Sequence, residues 1–391
     1  MQNTSIAIVQ ILQEAGHTAY WAGGCVRDFI LDKEPKDYDI ATSALPDEIE
    51  ALFEKTYPIG KRFGVITVAK NGHHFEVATF RSDGSSSDGR RPDAVLFTHP
   101  AEDALRRDFT INGLFYDPLS KDLHDFVGGR NDLQNGILRF IGEPAARIKE
   151  DHLRILRAVR FKNTLGFQYH EQSWEALLDH ADLAHQVSFE RIRDELNKML
   201  LSGQGAMALQ DLQKLGILST ILPELSTQNL LWPALQTVDQ ALLPWLVLLQ
   251  NAQEPETILR RLRFPRRDAE ALHWALQEVA QRHAWAKRSL GEQRQALLSP
   301  HFALFAAWLE TCAPLLGEEM LLQTVQLSAK ELHLDFPERP EPWLTGADVM
   351  RALNLKPGPE VGKILRLAWH AQLARKLNSR EEALEWLESH A

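Results

Sequence analysis

The chain has 391 residues, more than one compact core usually holds, so its length predicts two to four structural units. Hydrophobic residues make up 44% and charged residues 25%, a balance that excludes intrinsic disorder and fibrous or collagen-like sequence. The net charge of −10 does not exclude nucleic-acid binding, because phosphate recognition depends on where cations cluster, and arginines cluster at 90–91, 106–107, 147–162 and 260–267.

Membrane segments and disulfides are not expected. No apolar run approaches the ~18–20 residues that a bilayer requires, and the N-terminus lacks a basic stretch leading into an apolar one. Only Cys25 and Cys312 are present. The sequence therefore predicts a cytoplasmic protein without structural disulfides.

The first 145 residues mix strand patterns with short helices and glycine turns. We expect a strand–turn–strand hairpin across Asn71-Gly72, which is a strong two-residue turn signal, and flexibility over 82–91, which is rich in Ser, Gly and Asp. In chain order before that segment, the pattern predicts a helix at 3–16, a strand at 18–22, a helix from 26, a strand at 37–42, a helix from 46 and strands at 63–70 and 73–80.

After Glu150 the pattern becomes helical, with few β-branched runs. The tail is expected to hold two amphipathic helices separated by the turn Lys356-Pro357-Gly358-Pro359. The elements before it are a helix near 101–107, a hairpin bent at Asp117-Pro118, helices at 150–165, 172–183 and 189–201, and a helical region to about 335.

Two aspartates lie two positions apart in the second predicted strand. Strand alternation puts Asp37 and Asp39 on one face and Tyr38 on the other. Two carboxylates repel each other unless a cation neutralises them, and oxygen ligands that leave open positions suit Mg²⁺ bound together with substrate phosphates. Taken alone, an Asp-x-Asp pair is more often an exposed turn.

The residues around this pair strengthen the case for catalysis. A glycine turn, Gly23-Gly24, precedes a predicted helix and can bring backbone N–H groups against a phosphate. Glu76 lies on a nearby predicted strand and can supply a third carboxylate. Three carboxylates beside a phosphate cradle suggest metal-assisted phosphoryl or nucleotidyl transfer.

Five motifs resemble, in the same order, those of the class II tRNA nucleotidyltransferases, the family of CCA-adding enzymes and bacterial poly(A) polymerases. They are 23–28 (GGCVRD), 37–42 (DYDIAT), 106–112 (RRDFTIN), 150–154 (EDHLR) and 190–196 (ERIRDEL). The resemblance covers about residues 20–200. It implies an α+β fold: a polymerase-β-type nucleotidyltransferase head with a mixed sheet (1–145), then an all-α neck that selects the base (146–203), a body (204–336) and a tail that binds tRNA (337–391).

The resemblance also implies roles for individual residues. Asp37, Asp39 and Glu76 are expected to be catalytic, with Asp37 and Asp39 binding Mg²⁺. The residues expected to bind the nucleotide and its phosphates are Gly23, Gly24, Arg27, Arg107, Asp108, Asn112, Asp151, Arg154, Arg157 and Arg160. Separately, the composition of the flexible loop suggests that it can act as a lever through Asp83, Asp88 or Arg90.

Asp151 and Arg154 also make chemical sense without the family. Three residues apart on a predicted helix, they project from one side and can read CTP or ATP through hydrogen bonds, although an intrahelical salt bridge explains the spacing equally well. Arg157 and Arg160 continue that helix. They can hold the triphosphate or the Asp151 carboxylate, and some of this series can be structural.

The implied activity is template-independent addition of CMP, CMP and AMP to tRNA 3′ ends from CTP and ATP, with release of pyrophosphate. Phe63-Gly64 resembles the CCA-adding version of the family more than the poly(A) polymerase version. The alternatives are an enzyme that adds only A to CC ends, a poly(A) polymerase, an RNA-binding protein on an inactive scaffold, or a transferase that modifies an antibiotic or a protein. The expected partners are tRNA, CTP and ATP, without DNA or a membrane, and the chain is expected to be a monomer or a weak dimer.

Overall fold

The computed structural model describes residues 1–83, 95–228, 230–236 and 241–389. Residue contacts divide the chain into two compact units, Met1–Pro223 and Glu224–Ala391. The finer boundaries near 145, 203 and 336 stay predictions.

The strands of the described residues all belong to the first unit. They are β1 (Ala19–Ala22), β2 (Ile40–Thr42), β3 (Thr56–Tyr57), β4 (Val65–Lys70), β5 (His73–Thr79), β6 (Arg81–Asp83), β7 (Val95–Phe97), β8 (Leu114–Tyr116), β9 (Leu123–Asp125), β10 (Ile137–Leu138) and β11 (Gln168–Tyr169). Seven of them form one mixed sheet in the order β3-β4-β5-β2-β1-β8-β9, in which only the β2–β5 pair is parallel.

The helices occupy both units. Those of the first unit are α1 (Gln2–Glu14), α2 (Gly24–Ile30), α3 (Pro46–Leu52), α4 (Pro100–Leu105), α5 (Gly129–Asn135), α6 (Pro144–Glu150), α7 (Leu153–Leu165), α8 (Glu171–Asp179), α9 (Phe189–Leu200), α10 (Gly205–Lys214) and α11 (Ile217–Ile221). Those of the second are α12 (Leu243–Leu249), α13 (Pro255–Arg261), α14 (Arg266–Ala280), α15 (Leu290–Leu297), α16 (Phe302–Leu316), α17 (Glu319–Asp335), α18 (Gly346–Ala352), α19 (Pro359–Leu373) and α20 (Arg380–Glu388). The predicted α+β fold, a mixed-sheet head followed by helices, is confirmed.

The β4–β5 hairpin forms at its predicted turn. Lys70 pairs with His73, and Asn71 and Gly72 between them have φ angles of 51° and 76°, the left-handed values that a tight hairpin turn needs. Alternation along β5 buries Phe75 and Val77 and leaves Glu76 exposed between them. The hairpin therefore presents Glu76 on the face away from the core.

The predicted strand at 37–42 is too long. Only Ile40–Thr42 forms strand, and Asp37 and Asp39 lie in the segment that leads into it. The strand begins late because β2 runs between β1 and β5 with Ile40 to Thr42 all buried, and an uncompensated carboxylate is costly to bury in such a place. The alternation persists nevertheless: Tyr38 is buried, while Asp37 and Asp39 are exposed on the opposite side.

The predicted helix at 150–165 begins three residues late. Asp151 has an extended backbone (φ −150°, ψ 104°), which ends α6 at Glu150, and α7 begins only at Leu153. The Asp151 carboxylate accepts a hydrogen bond of 3.1 Å from the Leu153 N–H and so satisfies one of the unpaired donors at the start of α7. Asp151 and Arg154 therefore do not share a continuous helix.

Two further helical predictions need correction. The helix predicted at 172–183 ends at Asp179 and is followed by a short 3-10 helix, Ala181–Gln186. The tail has a third helix, α20, in addition to α18 and α19. Ser379 caps it by accepting a hydrogen bond from the Glu382 N–H, a start signal that the two-helix prediction overlooked.

No single helix in the described ranges has the length and apolar composition to cross a membrane. α15 and α16 meet that criterion only when they are joined, across a 98° bend.

Candidate active site

The first unit encloses a cavity of about 990 Å³ that gathers the predicted site residues. Eight arginines and six carboxylates line it, so it is highly polar and rich in cations. The predicted residues on its wall are Gly23, Gly24, Arg27, Asp37, Asp39, Arg107, Asp108, Asn112, Asp151, Arg154, Arg157 and Arg160. Glu76 lies outside the lining but close enough to act on Asp39.

Asp39 is a carboxyl group of the cavity wall with a raised pKa. Although the residue keeps access to solvent, the protein around it and the neighbouring carboxylates Asp37 and Glu76 raise its pKa to about 6, against a smaller opposing effect of Arg107. The sheet explains why Glu76 lies near Asp39. Strands β2 and β5 are parallel and Ile40 pairs with Val77, and Asp39 and Glu76 are the residues directly before these two partners. The Ala22 N–H donates to the Asp39 carbonyl, which fixes the backbone on the other side.

This cluster fits a divalent cation. The carboxylates of Asp37 and Glu76 both act electrostatically on Asp39, and a bound cation would relieve this repulsion. Within the described residues, no group of three or more His, Cys, Asp and Glu side chains could hold a metal ion alone. A cation held by two aspartates therefore needs further oxygen ligands, such as substrate phosphates and water.

The Gly23-Gly24 turn leads β1 into α2 at the edge of the cavity. Gly23 has a φ of 70°, and a Cβ there would lie 2.9 Å from Nη1 of Arg107. The left-handed backbone therefore favours glycine, and a side chain there would displace the Arg107 guanidinium. Arg107 is held in place by Asp103, which accepts hydrogen bonds from its Nε and Nη2 at 3.1 and 2.9 Å.

Asp108 is the centre of a buried network. Arg157 donates to its carboxylate through Nε at 2.8 Å, and Asn112 through Nδ2 at 3.0 Å. Burial by itself raises the pKa of Asp108, but Arg157 and the hydrogen bond from Asn112 outweigh it and hold the pKa at about 2. Asn112 in turn accepts a 2.8 Å hydrogen bond from Arg27. Arg27 and Arg157, two of the predicted phosphate-binding arginines, are therefore linked through Asn112 and Asp108 and held in fixed positions.

The side chains of Asp151 and Arg154, both described, have separate partners, although the Arg154 N–H donates to the Asp151 carbonyl at 3.0 Å. Arg191 of α9 donates two hydrogen bonds to the Asp151 carboxylate, at 3.0 and 2.9 Å. Arg154 donates to Glu150 at 2.7 Å and to the backbone carbonyls of Arg147 and Arg106. The intrahelical salt bridge considered from the sequence does not form, and both side chains stay on the cavity wall.

Phe161 is a part of the cavity that sequence reasoning missed. Three guanidinium groups lie over its ring, those of Arg27, Arg157 and Arg160, at 5.1, 5.2 and 4.0 Å from the ring centre. Such cation–π contacts gather positive charge around one aromatic ring. Arg157 and Phe161 are four residues apart on α7, so the helical spacing could have found this contact.

Asp103 is a second residue that sequence reasoning missed, and it connects strand β6 to the arginines of the cavity wall. Its buried carboxylate accepts from the Arg81 N–H at 3.1 Å and from Arg106 at 2.9 Å. Of the predicted lever residues, Asp88 and Arg90 lie outside the described residues. The backbone of Asp83 ends β6 and pairs with Val95 of β7.

Three family models match successive parts of the chain. The Poly A polymerase head domain matches residues 19–139, and a "Probable RNA and SrmB- binding site of polymerase A" matches residues 166–228. A model of tRNA nucleotidyltransferase domain 2 matches residues 234–387. The matches cover both compact units.

Proteins and solved structures with the same name are similar over nearly the whole chain. The CCA-adding enzyme of Geobacillus sp. (strain WCH70) is 33% identical over 397 residues, 98% of this chain and 96% of the relative, and that of Geobacillus stearothermophilus is 32% identical over 406 residues with the same coverage. The crystal structure of the Bacillus stearothermophilus CCA-adding enzyme in complex with CTP is 29% identical, with a TM-score of 0.82 over 99% of this chain and 96% of that one. The structure of the Thermotoga maritima CCA-adding enzyme complexed with tRNA shares the fold at 19% identity and a TM-score of 0.63, over 99% and 95% of the two chains. This chain belongs to the family of CCA-adding enzymes and is a nucleotidyltransferase.

Proposed function

We propose that this chain adds CMP, CMP and AMP in turn to the 3′ end of tRNA, using CTP and ATP and releasing pyrophosphate. One observation carries the proposal: paired aspartates, arginines and the Asp151 and Arg154 hydrogen-bonding groups face a single cavity in the first unit. The support from relatives is consistent, because proteins similar along the whole chain are named CCA-adding enzymes, and one of them is described in complex with CTP. The relatives and solved structures described above are named for CCA addition, not for A-only addition or polyadenylation.

A divalent metal ion belongs to the chemistry of nucleotidyltransferases, and we infer that Mg²⁺ is held here by Asp37 and Asp39. When bound, it would supply charge neutralisation at the triphosphate and a more acidic RNA 3′-hydroxyl. Asp37 and Asp39 provide hard oxygen ligands from one side only, which suits an ion that keeps water and phosphate ligands. Glu76 acts on Asp39 electrostatically and so adds negative charge beside the two proposed metal ligands.

The remaining cavity residues divide into two groups by chemistry. Arg27, Arg107 and Arg157, held by Asn112, Asp103 and Asp108, offer fixed guanidinium groups to the triphosphate.

Asp151 accepts hydrogen bonds and Arg154 donates them, so together they can read the base edge that cytosine and adenine share in part, an exocyclic amino group beside a ring nitrogen. The protein itself then takes the place of a template.

The function is tested with three tRNA substrates, ending at the discriminator base, at C and at CC. The first should accept CMP twice from CTP alone, the second CMP once, and the third AMP from ATP alone. Transfer only to the CC end would instead identify an enzyme specialised for the last step.

Base selection should depend on the two cavity residues. Asp151→Ala or Arg154→Ala deletes half of the hydrogen-bonding edge but leaves Asp37 and Asp39 in place. A good bidentate pair contributes ~1–3 kcal/mol of discrimination, so we expect roughly 10- to 100-fold poorer discrimination against UTP and GTP. The measurement is the ratio of kcat/KM for CTP or ATP to that for UTP or GTP on the matching tRNA end.

A matched control removes an arginine that is exposed and outside the cavity wall. Arg130→Ala should leave the nucleotide ratios of the wild type unchanged. Unchanged ratios in Asp151→Ala and Arg154→Ala as well would show that the two residues are structural.

The segment between β6 and β7 is expected to matter for the last nucleotide. Asp83 and Val95 are antiparallel partners, so a two-residue Asn-Gly turn can replace residues 84–94 without moving the strands. If the segment shifts the base-reading residues between CTP and ATP, the replacement should slow addition of A at least roughly tenfold and leave C addition largely intact. Single-turnover extension of the two tRNA ends measures this.

A Gly-Ser segment of unchanged length serves as the comparison for that replacement. It separates the need for particular side chains, such as Asp88 and Arg90, from the need for length alone. Equal losses of A and C addition would contradict a selective role of the segment.

A further inference from the structure

The sheet face that carries Glu76 continues from the proposed metal ligands towards the β3 edge of the sheet. Directly opposed residues of antiparallel strands share a face, and Thr67 is opposed by Glu76 on one side and by Tyr57 on the other. Asp39 is next to Glu76 on the same face, because it lies directly before β2, which pairs with β5. One row of side chains therefore runs from Asp39 through Glu76 and Thr67 to Tyr57, with ~4.8 Å between neighbouring strands.

The residues of β3, β4 and β5 on this side form the open sheet face, whose side chains are exposed or half-buried. The side chains in its middle are small: Val65, Thr67, Ala69 and Ala78. Their neighbours on the same strands point the other way and are buried in the core: Ile66, Val68, Phe75 and Val77. The open sheet face is therefore flat, and it lies directly beside the carboxylates of Asp39 and Glu76.

Two aromatic rings and a cation stand at the far end of the open sheet face. The rings of Tyr57 and His74 lie 5.6 Å apart at 33°, and they meet across β4 because they belong to the strands on either side of it. Lys55 brings its Nζ to 6.0 Å from the centre of the Tyr57 ring. An aromatic ring can stack on a base and a lysine can bind the adjoining phosphate, which is the combination that sites for single-stranded RNA use.

The position of the catalytic cavity leaves this face to the RNA. The cavity wall contains Asp39 and the Gly23-Gly24 turn after β1 but not Glu76, so the cavity lies on the β1 side of Asp39. In nucleotidyl transfer the attacking 3′-oxygen and the leaving pyrophosphate are roughly in line on opposite sides of the α-phosphorus. With the triphosphate on the β1 side, the RNA 3′-hydroxyl therefore approaches Asp39 from the β5 side, over Glu76.

We propose that the open sheet face holds the 3′-terminal nucleotide of the RNA substrate, with its base stacked on Tyr57 and its 3′-hydroxyl towards Asp39. Tyr57 is then a positioning residue for the RNA end, and Lys55 a contact for its phosphate. From Glu76 to Tyr57 the row spans two strand spacings, ~10 Å, across small side chains that leave room for the ribose and the base. The inference rests on the proposed function, which makes an RNA 3′ end the acceptor.

A stacked contact suits an RNA end that changes with every addition. The terminal nucleotide is first the discriminator base, then C, then C again, and stacking accepts each of them because every base has a π-face. Hydrogen bonds to a base edge would favour one of these ends over the others. Tyr57 can thus position all three ends in the same way.

Tyr57→Leu tests the stack, because it removes the aromatic plane and keeps an apolar side chain in the edge strand. Its Kd is measured without nucleoside triphosphates for two tRNAs, one ending at the unpaired discriminator base and one shortened by that nucleotide, which ends in a base pair. We expect the Kd for the longer tRNA to rise at least roughly fivefold, the smaller end of the effect of one base–aromatic stack, and the Kd for the shorter tRNA to match the wild type. An unchanged Kd for the shorter tRNA also shows that the variant is folded.

Nucleotide transfer should follow the same pattern. The kcat/KM of Tyr57→Leu for the tRNA that ends at the discriminator base should fall by at least a similar factor, while the KM for CTP stays at the wild-type value. A general disturbance of the first unit would instead change the KM for CTP as well.

Two control variants accompany the test. Tyr57→Phe keeps the ring and should bind both tRNAs like the wild type. Phe126→Ala removes an exposed ring at the opposite edge of the sheet, where Phe126 follows β9 and stacks on His124 with ring centres 6.5 Å apart and planes at 9°. It should leave both Kd values unchanged.

Three results would overturn the inference. They are a wild-type Kd for the longer tRNA in Tyr57→Leu, an equal rise of its Kd for both tRNAs, and the same end-dependent rise in Phe126→Ala, which would show a general effect of exposed rings. A failure of the proposed function is distinguishable, because the wild-type chain would then transfer no nucleotide to tRNA, whereas both Kd values are measured without transfer.

Discussion

Asp39→Asn is expected to abolish nucleotide transfer while leaving tRNA affinity nearly intact. Loss of a direct metal ligand costs several kcal/mol of transition-state stabilisation, so turnover should fall at least about a thousandfold. The substitution keeps the shape of the side chain and lies on the cavity wall of the first unit. Transfer is measured as single-turnover addition of CMP, and binding as the Kd for tRNA.

The same variant should be more stable than the wild type when metal is chelated. Desolvation by the surrounding protein and the charges of Asp37 and Glu76 raise the pKa of Asp39 to about 6, so the ionised group disfavours the folded state at neutral pH. Asn removes that charge, and the Tm at pH 7.5 should rise. Because the folded state takes up a proton below pH 6 and the unfolded state only near pH 4, the gain should disappear between these two values.

Asp32→Asn is the matched comparison, since Asp32 is exposed and asparagine tolerates its left-handed φ of 54°. It should change neither activity nor the pH dependence of stability. Turnover of Asp39→Asn within about tenfold of the wild type would exclude Asp39 as a metal ligand.

Asp108→Asn should cause the largest loss of stability in the cavity wall. It leaves the Arg157 guanidinium, 2.6 Å from the carboxylate in the native pair, without a compensating charge. Breaking a buried pair in this way typically costs ~3 kcal/mol or more. Denaturant unfolding, followed by a signal from the first unit, measures the loss.

The pH dependence identifies the cause of that loss. The pKa of Asp108 is about 2 in the folded protein, below its ordinary value, so its charge stabilises the fold above about pH 4 and this contribution is lost as the pH falls towards 2. The difference between wild type and variant should therefore shrink in acid. Asp194→Asn, which removes a half-exposed partner of Arg193, should cost little, and a similar loss in both variants would argue against the buried network.

Local patterns predicted most of the fold. The β4–β5 hairpin follows from alternation and the Asn71-Gly72 turn, and both act within a few residues. The break at Asp151 could not be predicted in this way, because the helical pattern continues through it. The extended conformation there is stabilised by Arg191, 40 residues away in the sequence.

Family motifs predicted which residues meet in the cavity but not how they are paired. Arg157 and Arg160 could each have bound the triphosphate, Asp151 or another carboxylate. Their partners are Asp108 and Glu195, which lie on other segments of the chain. Spacing along one helix carries no information about such contacts, which depend on the packing of α7 against α9 and on the position of the segment that carries Asp108.

The most direct measurement of the central claim is the sequence of nucleotides added to a tRNA that ends at the discriminator base, with all four nucleoside triphosphates and Mg²⁺ present. The account predicts that C, C and A are added in that order and that extension then stops. Products that end in A without preceding cytidines, or that continue into a run of A, would contradict it.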